Sequence, residues 1–158
     1  MAQAEKLRPL LKAREAEETE AARTVGEINQ ILERRKELLA EVEKKKEALA
    51  IRLRDVTDSS RRSALQSGNP AALSTGVRYV ARIKKEIQTV DREVVQRRAE
   101  VAKAEERLRG AEQDLIEARI EKKKVEKLLE SREFEKQVSV GAREEAALED
   151  LQMNRPKR

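Results

Sequence analysis

The side chains in this sequence that could do chemistry are almost all charged ones, because the chain contains no Cys and no His. Their absence excludes a thiol nucleophile, a Ser-His pair, a zinc-finger ligand set and histidine ligation of haem. Gly68 and Gly76 lack the neighbouring Gly-Lys-Ser sequence that a phosphate-binding loop requires. We therefore expect no enzyme activity, no cofactor and no metal site in this chain.

Clusters of basic residues offer binding chemistry instead. Lys44–Lys46 and Lys122–Lys124 resemble nucleic-acid or lipid patches, but glutamates adjoin both clusters and stacking aromatic residues are absent. We interpret both as solvated helix faces and expect no nucleic-acid partner. Arg61-Arg62 lies in the segment richest in loop-forming residues, where it is free to contact a partner. No run approaches the roughly 20 apolar residues that span a bilayer, so no direct membrane insertion is expected.

The composition favours long helices over a globular core. Charged residues make up 42% of the 158-residue chain and aromatic residues 1%, and there are only 5 Gly and 3 Pro. Lys, Arg, Glu, Ala and Leu predominate, which is typical of coiled coils when a 3.5-residue period is present. The net charge of +5 arises from 36 basic and 31 acidic residues that are interspersed along the chain, so its surface is mixed rather than polycationic.

Apolar residues recur at alternating three- and four-residue intervals in two long stretches, the heptad signature of a coiled coil. Each stripe needs a partner helix, and the two stripes can satisfy each other. The polar residues that interrupt them are Arg14, Glu18, Arg35, Lys46, Arg97, Lys122 and Arg132. The first stripe comprises Leu11, Val25, Leu32, Leu39, Leu53 with Leu7, Ala21, Ile28, Val42, Leu49, Val56; the second comprises Val80, Ile87, Val94, Val101, Leu108, Leu115, Leu129 with Ile83, Val90, Ala104, Ala111, Ala118, Val125.

The predicted fold class is all-α: an antiparallel two-helix coiled-coil hairpin with a longer C-terminal helix, forming a single domain over residues 1–158. Pro9 suits a first helical turn, and Asn69-Pro70 suits an N-cap followed by a first helical residue. We expect helix one over about 7–57, a Ser- and Gly-containing loop over about 58–69, helix two over about 70–152 and a polar tail over 153–158. In the predicted register, the numbers of two residues that face each other across the hairpin add up to 129, so Leu53 lies opposite Gly76. A register shifted by one heptad in either direction stays open.

The second helix is expected to exceed the first, so its C-terminal part has no internal mate. Its apolar residues also leave the heptad frame, and Pro156 should stop the helix before the end. We interpret this segment as an element that inserts into a partner. The apolar residues it contributes are Phe134, Val138, Val140, Leu148 and Leu151.

Three segments carry a resemblance to a known family. They are the start Leu7–Glu15, the stretch Ala21–Ile28, and the end Ala146–Leu151 before a basic tail. With two long helices, neighbouring termini and a longer second helix, the chain resembles the FliJ family over nearly its whole length. That family comprises soluble components of the flagellar type III export apparatus, and the YscO proteins of injectisomes are its counterparts.

The resemblance implies a central stalk that inserts into a hexameric export ATPase and stimulates it. It also implies contact with the cytoplasmic domain of the export gate, and in some members with export chaperones. The protein would be cytoplasmic, peripherally associated with the inner-membrane export apparatus, and monomeric when free. Ring-facing residues would be Phe134, Val138, Leu148 and Leu151. Gate-facing residues, by matching from the N-terminus, would be Leu38, Val42, Lys45, Leu49, Tyr79, Ile83, Glu86 and Val90, four of which also lie on the stripes.

Other functions stay open at this stage. A stalk of an injectisome would be built in the same way as a flagellar stalk, so the sequence pattern does not decide between the two machines. A structural coiled-coil spacer would dimerise, whereas a self-folded hairpin should stay monomeric. A basic RNA-binding arm predicts strongly salt-dependent RNA binding.

Overall fold

Two α-helices make up the structure, a computed structural model that describes residues 2–68 and 70–154, with the side chains of 2, 3 and 67 left out. Helix α1 runs over Ala2–Ser67 and helix α2 over Pro70–Met153, and the described residues contain no strand. The two helices pack against each other, which confirms the all-α hairpin.

The turn between the helices is much shorter than predicted. Gly68 has a positive φ of 56°, and its N–H donates to the carbonyl oxygen of Ala64 at 3.2 Å. This geometry is the left-handed cap that ends many helices, and glycine adopts it without the clash of a Cβ. Helix α2 then starts at Pro70 as predicted, whereas the predicted cap residue Asn69 lies outside the described residues.

Both predicted limits of helix one are wrong. The helix begins at Ala2, so Pro9 lies inside it, and the predicted loop residues Asp58–Ser67 are helical. Near a helix start, proline removes only the bond to the carbonyl of Glu5, and that residue is exposed to water. At the C-terminal limit of α1, Ser60 and Ala64 are half-buried and four residues apart, as on one face of a helix. Packing of this face therefore overrides the weak helix propensity of the neighbouring serines and aspartates. Of the predicted tail, Met153 is helical and residues 155–158 lie outside the described residues.

The register differs from the prediction by one heptad. A Cβ built on Gly76 would lie 2.6 Å from Ser60 Oγ, Lys46 Nζ lies 2.7 Å from Asp91 Oδ1, and Arg35 donates to the carbonyl of Glu100 at 3.0 Å. The numbers in these pairs total 135 to 137, not 129. The physical reason is the turn: since α1 continues to Ser67, the point about which the helices pair moves towards the C-terminus by half a heptad.

The contacts of the chain divide it into two compact units, Met1–Val25 with Gly110–Arg158, and Gly26–Arg109. In the second unit Val42, Leu49, Val90 and Val94 form one buried cluster, with Leu39 and Ile87 packed against it. Every buried hydrophobic residue among those described lies on a predicted stripe. They are Leu32, Val42, Leu49, Ile83, Val90, Val94 and Ala104 in the second unit and Ala111 and Val125 in the first.

Four of the seven charged residues that interrupt the stripes contact the other helix. Lys122 Nζ lies 2.9 Å from Glu18 Oε2, and Arg119 Nε lies 3.5 Å from Glu18 Oε1. Because these heads remain partly exposed, their aliphatic stems can cover the apolar stripe while the charges stay hydrated. Each pair therefore disfavours a shifted register, in which one of its charges would face an apolar residue.

Candidate partner-binding surfaces

The four gate-facing residues predicted on α1 fall into two groups. Val42 and Leu49 are buried, at 8% and 9% exposure, and belong to the central cluster of their unit. Lys45 is exposed, and Leu38 is half-buried beside the groove that also contains Ile31. Val42 and Leu49 lie seven residues apart, on the face of α1 that is turned towards α2. Only Leu38 and Lys45 present side-chain surface to a partner.

The same division occurs on α2. Ile83 and Val90 are buried, at 2% and 4% exposure, whereas Glu86 is exposed. Tyr79 is half-buried; Arg52 donates a hydrogen bond to its hydroxyl, and the guanidinium carbon lies 5.6 Å from the ring centroid. The buried residues Val42, Leu49, Ile83 and Val90 are therefore corrected from direct contacts to core, because the opposite helix covers them. Leu38, Lys45, Tyr79 and Glu86 stay as a predicted gate-facing set, named here the flank set.

The predicted ring-facing residues are all exposed. Phe134 is 67% exposed, Val138 55%, Leu148 59% and Leu151 67%. At about 100° per residue, Val138 and Leu148 project about 40° to either side of Phe134, and Leu151 projects about 100° from it. These four residues are named here the C-terminal surface. The structure brings the first three onto one side of α2 and leaves them uncovered.

Among the described residues, the ion pair between α1 and α2 that lies farthest along α2 joins Arg8 and Glu133, at 3.8 Å. From Ser131 to Asn154 every described side chain is exposed, and only Gly141 is half-buried. Since α1 begins at Ala2, six residues before Arg8, its start lies beside about residue 139 of α2, and the remainder of α2 extends past it. Uncovered apolar side chains in a contiguous stretch commonly mark a binding surface.

Sequence reasoning missed several exposed apolar residues. Leu65 is 87% exposed, Val77 61% and Leu73 50%, all in the part of α1 and α2 nearest the turn. Met153 adds a further exposed side chain, at 86%, beside the C-terminal surface. A usable signal was present for Leu65 and Val77, since both lie off the heptad positions of their helices.

The strongest local electrostatics belong to Glu18. The hydrogen bond from Lys122, reinforced by Arg119, holds the pKa of Glu18 below its ordinary value. The same contact raises the pKa of Lys122. On α2 alone, Lys124 lowers the pKa of Glu121 through a 3.0 Å contact. These groups are ionised at neutral pH, and the pair of Glu18 and Lys122 links α1 to α2.

Within the part of the chain that the structure describes, no set of three or more acidic, His or Cys side chains is arranged to hold a metal ion. Neither described helix contains a stretch long and apolar enough to cross a membrane.

One family model matches the chain: the Flagellar FliJ protein, over residues 3–158. A search of curated proteins found no match, and neither did a search of solved structures.

Proposed function

Since the chain belongs to the FliJ family, whose members are components of flagellar type III protein export, we propose that it acts there as a non-enzymatic stalk. In this proposal the C-terminal surface enters the ring of the hexameric export ATPase and stimulates it. The flank set faces the cytoplasmic domain of the export gate, and export chaperones are further candidate partners. The family description favours the flagellar machine over an injectisome.

The observation that carries the proposal is the uncovered end of α2. Val125 is the last buried residue of the helix, and the four residues of the C-terminal surface, which follow it, are each more than half exposed. A free helix of this kind gains most when a partner provides the missing apolar surface, at about 25 cal/mol per Å² buried. A cavity in a partner supplies that surface on several sides at once.

The test compares two variants of the full chain. Leu148→Ser with Leu151→Ser alters the C-terminal surface, and Leu65→Ser with Val77→Ser is the matched control, since it removes equally exposed apolar side chains near the turn. Both variants should retain helical circular dichroism and change stability by no more than about 0.5 kcal/mol, because exposed positions contribute little. ATPase stimulation should fall roughly tenfold for the first pair alone, as expected when interface anchors are truncated.

Deletion of residues 145–158 should have the same effect on stimulation and leave the packed hairpin folded. Unchanged stimulation by this truncated chain would refute the insertion of the C-terminal surface. Sedimentation of the free protein at micromolar concentration should give a monomer. A stable dimer that the Leu148 and Leu151 substitutions dissociate would favour the structural-spacer alternative, because a second copy would then cover the surface.

A further inference from the structure

The charge of this protein is concentrated around the turn. Residues 50–85 contain eight Lys or Arg and only two acidic residues, Asp55 and Asp58. The chain totals 36 basic and 31 acidic residues, which leaves 28 and 29 outside this segment. The excess positive charge of the whole chain therefore resides in this one stretch. We name the eight residues the basic turn end: Arg52, Arg54, Arg61, Arg62, Arg78, Arg82, Lys84 and Lys85.

These basic side chains are exposed and are not neutralised by the protein itself. All eight are exposed, and none forms an ion pair with any described residue; Arg52 instead donates to the Tyr79 hydroxyl. Farther from the turn in the same unit, Lys46 pairs with Asp91 at 2.7 Å and Arg98 with Glu43 at 3.3 Å. The fold thus pairs some basic residues elsewhere in this unit, whereas all eight around the turn remain available for external carboxylates or phosphates.

The charges surround the helix pair. At about 100° per residue, Arg52 and Arg54 project to opposite sides of the half-buried Leu53. On α2, Arg82 and Lys84 flank the buried Ile83 in the same way. A flat surface laid against one side would meet only part of this set, because charges beyond about 8 Å are screened at physiological salt. A bilayer touching the turn itself would miss Arg52 and Lys85, roughly 24 Å back along their helices.

The residues interspersed with these charges also disfavour a nucleic acid. Tyr79 is the only aromatic residue in the segment; it is half-buried, and its hydroxyl accepts a hydrogen bond from Arg52. The segment therefore offers no exposed aromatic ring on which a nucleic-acid base could stack. Leu65, Leu73 and Val77 are exposed among the charges, and a groove lined by Thr57, Leu73 and Val77 opens beside them. Apolar contacts within a basic surrounding match the mixed chemistry of a protein surface better than a phosphate backbone.

We infer that the basic turn end binds an acidic protein surface that encloses it, with carboxylates around the helix pair and apolar contacts at Leu65, Leu73 and Val77. The identity of that partner rests on the proposed function, in which the gate domain is the protein reached by this part of the chain. In this contact the partner contributes carboxylates, the affinity depends on salt, and the binding surface is centred near the turn.

The experiment measures binding of the full chain to the gate's cytoplasmic domain from the same organism, by calorimetry at about 50 and 200 mM salt. The test variant is Arg61→Gln with Arg62→Gln and Arg78→Gln. The matched control is Lys103→Gln with Arg107→Gln and Arg109→Gln, three exposed basic residues of the same unit that also form no ion pair among the described residues. Both variants lose the same charge.

Wild-type affinity should fall about tenfold or more between the two salt concentrations, as for electrostatically guided association. The test variant should bind at least tenfold more weakly at low salt, and the control should change by less than about twofold. Equal losses for both variants would overturn the inference while leaving the gate contact in place. No binding by the wild type would overturn the gate contact and the inference together, whatever the ATPase stimulation shows.

Two further titrations test whether the basic turn end binds a different anionic partner, lipid or RNA. Vesicles containing phosphatidylglycerol and a short RNA are titrated with the same three proteins. Binding to either that exceeds binding to the gate domain, and that only the test variant loses, would replace the acidic protein by lipid or RNA. Weak binding to both, with no difference between the test variant and the control, supports the inference.

Discussion

The register of the two helices can be tested by one engineered disulfide. Ser60→Cys with Gly76→Cys joins α1 and α2 where they approach closely, since a Cβ on residue 76 would lie 3.0 Å from the Cβ of Ser60. Disulfides have Cβ separations of about 3.5–4.5 Å, so the helices need to separate by only about half an ångström. The chain contains no native Cys, so a single intramolecular bond can form.

The size of the effect follows from the closed loop. The bond encloses about 15 residues, and the chain-entropy model assigns about 3 kcal/mol of stabilisation to such a loop. Separating the helices to accommodate the sulfurs offsets part of this gain, so we expect about 2–3 kcal/mol in the free energy of unfolding. For a protein of this size the melting temperature should rise by about 4–12 °C. Reduction with dithiothreitol should remove the increase.

The control is Leu53→Cys with Gly76→Cys, the pair expected to face each other in the register that totals 129. Position 53 lies seven residues from Ser60, about 10 Å along the helix, and a disulfide cannot bridge Cα atoms more than about 7 Å apart. Thiol titration and mass spectrometry after mild oxidation at low protein concentration distinguish the two pairs. Rapid bond formation by the Leu53 pair, with little by the Ser60 pair, would refute the register described above.

Two further predictions concern stability. Gly26→Ala and Gly110→Ala should each stabilise the protein against urea by about 1 kcal/mol, because an added Cβ meets nothing within 4 Å in a helix interior. Gly76→Ala should lose that gain to the contact with Ser60, so equal stabilisation by all three would contradict the close approach. Glu18→Gln should flatten the acid limb of the stability curve between about pH 5 and pH 2. The lowered pKa of Glu18 means that its stabilisation is complete above the unfolded-state pKa and is lost as pH falls through the folded-state pKa. If the urea midpoints of wild type and Glu18→Gln fell equally as the pH is lowered, ionised Glu18 would not contribute to stability.

Heptad periodicity predicted which residues are buried but not which residues meet. Val42, Leu49, Ile83 and Val90 were assigned to the stripes from spacing alone, and all four are buried. A seven-residue repeat looks the same after a shift of seven residues, so periodicity cannot select the register. The position of the turn selects it, and the turn depends on Gly68 rather than on the serines that precede it.

The candidate surfaces were predictable to different degrees. The unpaired end of α2 follows from unequal helix lengths, and the exposure of Leu148 and Leu151 agrees with it. The flank set came from a family resemblance, and half of the residues implied by it are core. The basic turn end was recognised in part, as Arg61-Arg62, because the rest of its charge is spread over two segments that only the fold brings together.

Burial decides how a partner can use the middle of the second unit. Direct contact with Val42, Leu49, Ile83 and Val90 would require α1 and α2 to separate there, exposing four large apolar side chains. At about 1.5–3 kcal/mol each, this would cost roughly 6–12 kcal/mol, comparable with the entire stability of a typical domain. A partner would have to replace nearly all of that apolar contact to bind at all. Contact through side chains that are already accessible has no such cost, so Leu38, Lys45 and Glu86 on the flank, together with the basic turn end, are where substitutions should weaken binding without unfolding the hairpin.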